Sequence, residues 1–199
     1  MNLVNIVNYE REYIKKGLLV SGVDEAGRGP LAGPVTACAL IPNFKKIIKG
    51  VNDSKKLTDK RRRELYPEII ANAYAYKTVS VSHEIIDKIN ILEATKNAMK
   101  EGIESLFPVP HIVLIDAVRL NIPYKSLAII HGDALCYAIA AASIIAKVDR
   151  DDIMIKYAET YPEYGFEEHK GYCTERHVEM LKKYGPCPIH RTTFLKKVL

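Results

Sequence analysis

Five short β-prone runs, separated by stretches of helical periodicity, limit this chain to a mixed sheet covered by helices. The runs are 18–23, 35–41, 77–81, 111–117 and 126–130, and in the third Thr78 and Ser80 alternate with Val79 and Val81 as in a half-buried strand. Between them, 59–73 has helical spacing, with Thr58 as its N-cap and Pro67 as an expected kink or break. A helix over 91–106 opens on the box-like Asn90-x-x-Glu93 and carries Ile91, Ala94, Ala98, Ile103 and Leu106 on one face. A long helix follows over 138–157, and another over 175–184 starts after Thr174 and stops at Gly185-Pro186. The first three strands suit hairpins and the later ones need crossovers, which gives an α/β layer fold with helices on the faces of the sheet. No repeat, low-complexity tract or linker divides the chain, so a single domain is expected.

No apolar run is long enough to span a bilayer, and the N-terminal stretch lacks the continuous apolar region of a secretory signal, so a cytoplasmic protein without a membrane partner is expected. The four cysteines, Cys38, Cys136, Cys173 and Cys187, lie far apart, which suits a reducing compartment. Cys173-x3-His177 with Cys187-x2-His190 is the one zinc-like spacing, and ordinary thiols are the simpler reading. The net charge of +5 is unevenly spread, with a basic cluster at Lys55, Lys56, Lys60, Arg61, Arg62 and Arg63. A second, at Lys182, Lys183, Arg191, Lys196 and Lys197, loads the C-terminus. Such clusters attract phosphate backbones, although each could equally be a solvated helix face.

The acids decide between these. Asp116 closes the run Ile112-Val113-Leu114-Ile115, where an unpaired carboxylate would lose most of its hydration, so something positive must face it. A salt bridge would serve for one acid alone. Asp24 and Glu25 follow the first strand directly, at its carboxyl end, and lead into Ala26-Gly27-Arg28-Gly29-Pro30. Two adjacent carboxylates repel, and a hard divalent cation resolves that better than one lysine, because it takes oxygen ligands and keeps positions open for water and phosphate. Asp133, in His131-Gly132-Asp133, is a further acid at a strand end, with an N-cap for the following helix as its other role. The glycines do not make a nucleotide loop. Gly22-x4-Gly27 lacks the Lys-Ser/Thr of a phosphate loop, and Gly27-x-Gly29-x3-Gly33 misses the dinucleotide spacing and is interrupted by Pro30 and Pro34.

In order along the chain, Asp24-Glu25-Ala26-Gly27-Arg28-Gly29-Pro30, Asp53-Ser54-Lys55-Lys56-Leu57, the Asp116 strand and Gly132-Asp133 resemble the ribonuclease HII family, a bacterial branch of the type 2 ribonucleases H. Ala140-Ala141-Ala142-Ser143-Ile144-Ile145-Ala146-Lys147-Val148, Arg150-Asp151, Tyr164-Gly165-Phe166 and His169-Lys170-Gly171-Tyr172 extend the resemblance through nearly the whole chain. The resemblance implies a ribonuclease H-like fold with a mixed five-stranded sheet, a catalytic core over about 1–150 and a helical C-terminal extension over about 151–199. It implies Mg²⁺ or Mn²⁺ held by Asp24, Glu25, Asp116 and Asp133, and a monomer acting on RNA·DNA hybrids and on DNA containing ribonucleotides. It further implies that the backbone of Gly27, Arg28 and Gly29 reads the 2′-hydroxyl, that Tyr172 packs on a sugar, and that Ser54 and Lys55 touch the nucleic-acid backbone. Ala117 departs from the family, many of whose members carry glycine there. The implied reaction is hydrolysis on the 5′ side of a ribonucleotide by two cations, leaving 3′-hydroxyl and 5′-phosphate ends. Another carboxylate nuclease, such as a resolvase core, would use similar acids without needing a ribose, whereas a silent nucleic-acid-binding module would have no use for four acids at strand ends.

Overall fold

The computed structural model describes residues 9–196 and 198. Its centre is one five-stranded sheet of β1 (Val20–Ala26), β2 (Val35–Pro42), β3 (Ala73–Val81), β4 (Ile112–Asp116) and β5 (Ser126–Ile129), in the order β3-β2-β1-β4-β5. β1, β2 and β3 are antiparallel neighbours, whereas β4 joins β1 and β5 joins β4 in parallel. The mixed sheet expected from the sequence is therefore present, with hairpins first and crossovers later.

The helices are α1 (Arg11–Lys15), α2 (Asp59–Asn72), α3 (His83–Ile89), α4 (Ile91–Glu104), α5 (Gly132–Leu135), α6 (Tyr137–Thr160), α7 (Phe166–His169), α8 (Glu175–Tyr184) and α9 (Thr192–Leu195). One sheet face, through Val23, Val35, Ala37, Val113 and Ile115, packs on Ala94, Ala98, Met99 and Ile103 of α4. The opposite face, through Cys38 and Leu40, packs on α2 and on the alanine-rich first half of α6. No helix is long and apolar enough to cross a membrane among the described residues. The first ten residues of α6 are all buried because the sheet and α2 cover them, as expected of a buried helix. It runs unbroken across residue 150 into the cluster that Leu31 and Ala32 share with Tyr164, Phe166, Leu181 and Ile189.

Gly22 sets how closely α6 approaches. A Cβ there would lie 2.0 Å from the carbonyl carbon of Ala138 and 2.4 Å from the nitrogen of Ile139, so helix backbone rests directly on the central strand. Thr58 caps α2 by accepting from the Arg61 amide, as expected, but Pro67 does not break the helix. Asn90 caps α4 through bonds from Leu92 and Glu93, at φ 68°, while Glu93 pairs with Lys96 instead of closing a box. β3 begins four residues earlier than its alternation suggested, immediately after α2.

Candidate active site

β1 extends beyond the expected end. Asp24 and Glu25 lie within it, paired with Cys38 and Ala37 of β2, because the β2 ladder continues to Ala26 opposite Thr36. On the other side the parallel register pairs Val23 with Ile115, which brings Asp24 beside Asp116 at the end of β4. β5 ends at Ile129, and the chain turns through His131 at φ 56° into α5, which carries Asp133. The N-cap role considered for Asp133 does not hold, since it lies inside α5 and His131 occupies the cap position.

Three strand-end segments thus bring Asp24, Asp116 and Asp133 together, with Glu25 adjoining. The Asp24 carboxylate accepts from the Glu25 amide at 2.7 Å and from Ser143 of α6. Asp116 accepts from the Gly132 amide at 2.7 Å, which ties the β4 end to the turn before Asp133. Glu25 has Arg28 at 3.5 Å, and Asp133 has Lys55 at 3.5 Å. Burial, then the charges of Glu25 and Asp116, push the Asp24 carboxyl well above its ordinary range. Burial raises Glu25, opposed by Arg28 and reinforced by Asp116. Asp133 is raised by burial and then by Asp53, while Lys55 opposes. Burial works against the Lys55 charge, but Asp133, Asp24 and Asp53 outweigh it and raise the lysine.

Negative charge is therefore in excess here, and the Oε2 atom of Glu25 is buried without a hydrogen-bond partner. That donor set fits a hard divalent cation, which wants carboxylate oxygens. Among the described residues no group of three or more acidic, histidine or cysteine side chains is arranged to hold a metal ion by itself, so an ion here would need water or phosphate oxygens as well. The zinc-like spacing does not form a site. His177 Nδ1 donates to the Tyr172 carbonyl at 2.9 Å, its Nε2 meets His190 Nε2 at 3.0 Å, and His190 Nδ1 accepts from the Cys187 amide at 2.9 Å. These nitrogens are spent on one another, Cys173 is exposed, and burial lowers both imidazoles to about 4.

Ser54 departs from its expected place. It is buried, and its hydroxyl meets the Ser143 hydroxyl at 2.7 Å. Since Ser143 serves Asp24, Ser54 donates to Ser143 and supports a carboxylate from behind, leaving Lys55 as the exposed member of the pair. Ser143 was missed as a functional residue, and its one signal was a hydroxyl in the otherwise apolar stretch 138–146. The basic clusters are also partly structural. Arg62 is buried and donates to the Ser54 and Leu57 carbonyls, Arg63 is paired with Asp59 and Asp152, and Arg191 is wholly buried.

Beyond β1 the chain bends through Arg28 and Gly29, both exposed, and the Tyr172 ring stands against them. A Cβ on Gly29 would meet nothing nearer than Tyr172 Cε1 at 4.0 Å. Tyr172 is 39% exposed, with Lys147 and Arg150 at 5.4 and 5.7 Å from its ring. An apolar cleft of ≈ 640 Å³, lined by Ile86, Ile91 and Phe194, opens from Gly29 and Cys173 and lies away from the acids.

The chain matches the family model for ribonuclease HII over residues 21–197. It belongs to the ribonuclease HII family. The ribonuclease HII of Caldicellulosiruptor bescii is 50% identical over 197 residues, covering 98% of this chain and 96% of its own. The structure of ribonuclease H2 from Pyrococcus horikoshii superposes with a TM-score of 0.76 at 31% identity, over 90% of this chain and 96% of that one. The ribonuclease HII of Archaeoglobus fulgidus, solved in complex with PCNA, gives 0.77 at 29% identity, over 91% and 95%. The ribonuclease HII chain is a metal-dependent nuclease that hydrolyses the RNA strand of RNA·DNA hybrids. Its sheet and helices have the ribonuclease H arrangement, with a helical C-terminal part.

Proposed function

We propose that this ribonuclease HII cuts on the 5′ side of a ribonucleotide, in hybrids and in duplex DNA containing ribonucleotides, leaving 3′-hydroxyl and 5′-phosphate ends. Asp24, Glu25, Asp116 and Asp133 would hold two divalent cations, Mg²⁺ or Mn²⁺. The observation that carries this reading is the excess of buried carboxylate at the meeting of β1, β4 and α5, including the unpartnered Glu25 Oε2. When bound, the cations supply an activated water and neutralise charge on the departing oxygen.

The chain's own groups position and select. Asp24 and Asp116, fixed by the Glu25 and Gly132 amides, would be the central ligands, with Glu25 and Asp133 each biased toward one ion. Lys55, exposed above Asp133, is placed to meet a phosphate of the cleaved strand. Arg28 and Gly29 present peptide groups that donate to no partner among the described residues, and a 2′-hydroxyl can both donate and accept there. The Tyr172 ring provides the apolar wall for the sugar that follows. Asp116→Asn tests the reading. It should abolish cleavage of a hybrid in Mg²⁺ while leaving duplex binding largely intact, and preserved turnover would sink the assignment.

A further inference from the structure

Two buried guanidinium groups lie beneath the loop that follows β1. Arg150 of α6 and Arg191, just before α9, are both 0% exposed, and neither forms an ion pair among the described residues. Their partners are backbone carbonyls. Arg191 donates to Gly27 at 2.7 Å, Arg28 at 3.0 Å, Gly33 at 2.9 Å and Pro34 at 3.0 Å. Arg150 donates to Pro34 at 2.9 Å, Ala32 at 3.2 Å and, across the site, Lys170 at 3.0 Å. A planar guanidinium has five donors in a fixed fork, and one such group can hold several carbonyls where a lysine would hold fewer. Burial lowers both arginines, Arg191 to about 9, with each other's charge adding for Arg191, so it remains cationic at neutral pH.

The loop's glycines are shaped by this pair. A Cβ on Gly27, at φ 97°, would lie 2.0 Å from Arg150 Nε and 2.7 Å from the Pro34 carbonyl, whereas the space around Gly29 is open. The first glycine admits the arginine, and the second leaves the outer face clear. Arg150 also reaches the other wall, because Lys170 precedes Tyr172 by two residues and the guanidinium lies 5.7 Å from that ring.

We propose that Arg150 and Arg191 are positioning residues for ribose selection: by gripping the carbonyls of Gly27, Arg28, Ala32, Gly33 and Pro34 they fix the outward peptide of Arg28 and Gly29 against Tyr172. Their charge, offset only at a distance by Asp151 for Arg150 and by Asp87 for Arg191, then favours the phosphate attached to the selected sugar. Burying a cation without a directly paired anion costs several kcal/mol per ion in general, and arrival of that phosphate offsets part of it. The proposal rests on the reading of residues 27–29 as the ribose reader.

Arg150→Lys and Arg191→Lys keep the charge and remove the fork, while Gly29→Ala fills the outer face and leaves the arginines alone. Affinity is measured in EDTA for a duplex with one ribonucleotide and for its all-DNA counterpart, with Mn²⁺ binding followed separately by calorimetry. Each lysine variant should lose about tenfold of its preference for the ribonucleotide duplex, about 1.4 kcal/mol, with all-DNA affinity and Mn²⁺ binding unchanged. A role in stability alone would lower the melting temperature and leave the preference intact, and that result overturns the proposal. Preference lost in Gly29→Ala but kept in both lysine variants also overturns it, while preserving the loop as reader. Preference kept in Gly29→Ala removes the loop's role and the proposal with it. If the lysine variants do not fold, the wild-type Nε–H resonances of Arg150 and Arg191 decide. They should shift on adding the ribonucleotide duplex and stay put with all-DNA, and equal shifts overturn the proposal.

Discussion

Replacing Asp24 by Asn should make the metal-free protein more stable while destroying its activity. The register that places Asp24 beside Asp116 puts two carboxylates on adjacent strands, whose backbones lie about 4.8 Å apart by ordinary sheet spacing. At an effective dielectric constant of about 20, like charges at about 5 Å repel by about 3 kcal/mol. Asparagine removes that repulsion, and its carbonyl still accepts from the Glu25 amide. Its amide can donate to Ser143 once the Ser54–Ser143 pair reverses direction, because either hydroxyl can be the donor. A net gain of about 1–3 kcal/mol follows, near 3 °C in melting temperature for each kcal/mol at this chain length. The raised Asp24 pKa fixes the pH dependence. A carboxyl whose folded pKa lies above its unfolded value stabilises most at low pH and loses that contribution as pH rises through the folded pKa. The advantage of Asn should therefore be smallest at acid pH and grow as the pH rises toward the alkaline side. Melting curves in EDTA across that range give the answer. With Mn²⁺ at ten times its dissociation constant, the wild type should gain about 1.4 kcal/mol and the variant much less. A variant less stable than the wild type in EDTA at the upper end would show that Asp24 is already compensated within the protein.

Three further substitutions probe separate parts of the structure. Tyr172→Ala should lower kcat/KM at a lone ribonucleotide by about 10- to 100-fold, or about 1.4–2.8 kcal/mol, without altering Mn²⁺ binding, and an unchanged rate would reject its place against the sugar. Gly22→Ala should destabilise by about 3 kcal/mol or more in urea unfolding, because its methyl meets α6 backbone that cannot yield without separating helix from sheet; a loss under about 1 kcal/mol would contradict that contact. Ala117→Gly should stabilise by about 0.5–1 kcal/mol, since Ala117 sits at φ 49°, where a Cβ is unfavourable, and a lower urea midpoint would contradict the strained turn.

Much of this architecture was legible because local signals agreed with tertiary needs. Asp116 was conspicuous as an acid closing four β-branched or leucine residues, and the 91–106 stripe gave α4 almost to its ends. Ala117 sits in a left-handed turn at φ 49°, a conformation glycine adopts without strain. What escaped depended on partners distant in sequence. The continuation of β1 through Asp24 and Glu25 comes from pairing with β2, and nothing within Asp24-Glu25-Ala26 announces it. Gly22 fitted no nucleotide-loop spacing, and its reason, the backbone of residue 138, lies far along the chain. Arg62 and Arg191 counted as surface charge because an arginine's burial depends on carbonyls the sequence does not bring near. Ser54 carried the right motif but faces inward, so its influence on the acids passes through Ser143.

The most direct test of the account is to map the cut in an end-labelled DNA duplex carrying one ribonucleotide, beside an all-DNA duplex, in Mg²⁺ and in EDTA. The expected result is a single break on the 5′ side of the ribonucleotide with 3′-hydroxyl and 5′-phosphate ends, and no product from all-DNA or in EDTA. Equal cutting of both duplexes, or cleavage that survives EDTA, would contradict a carboxylate–metal site that acts only where residues 27–29 and Tyr172 find a ribose.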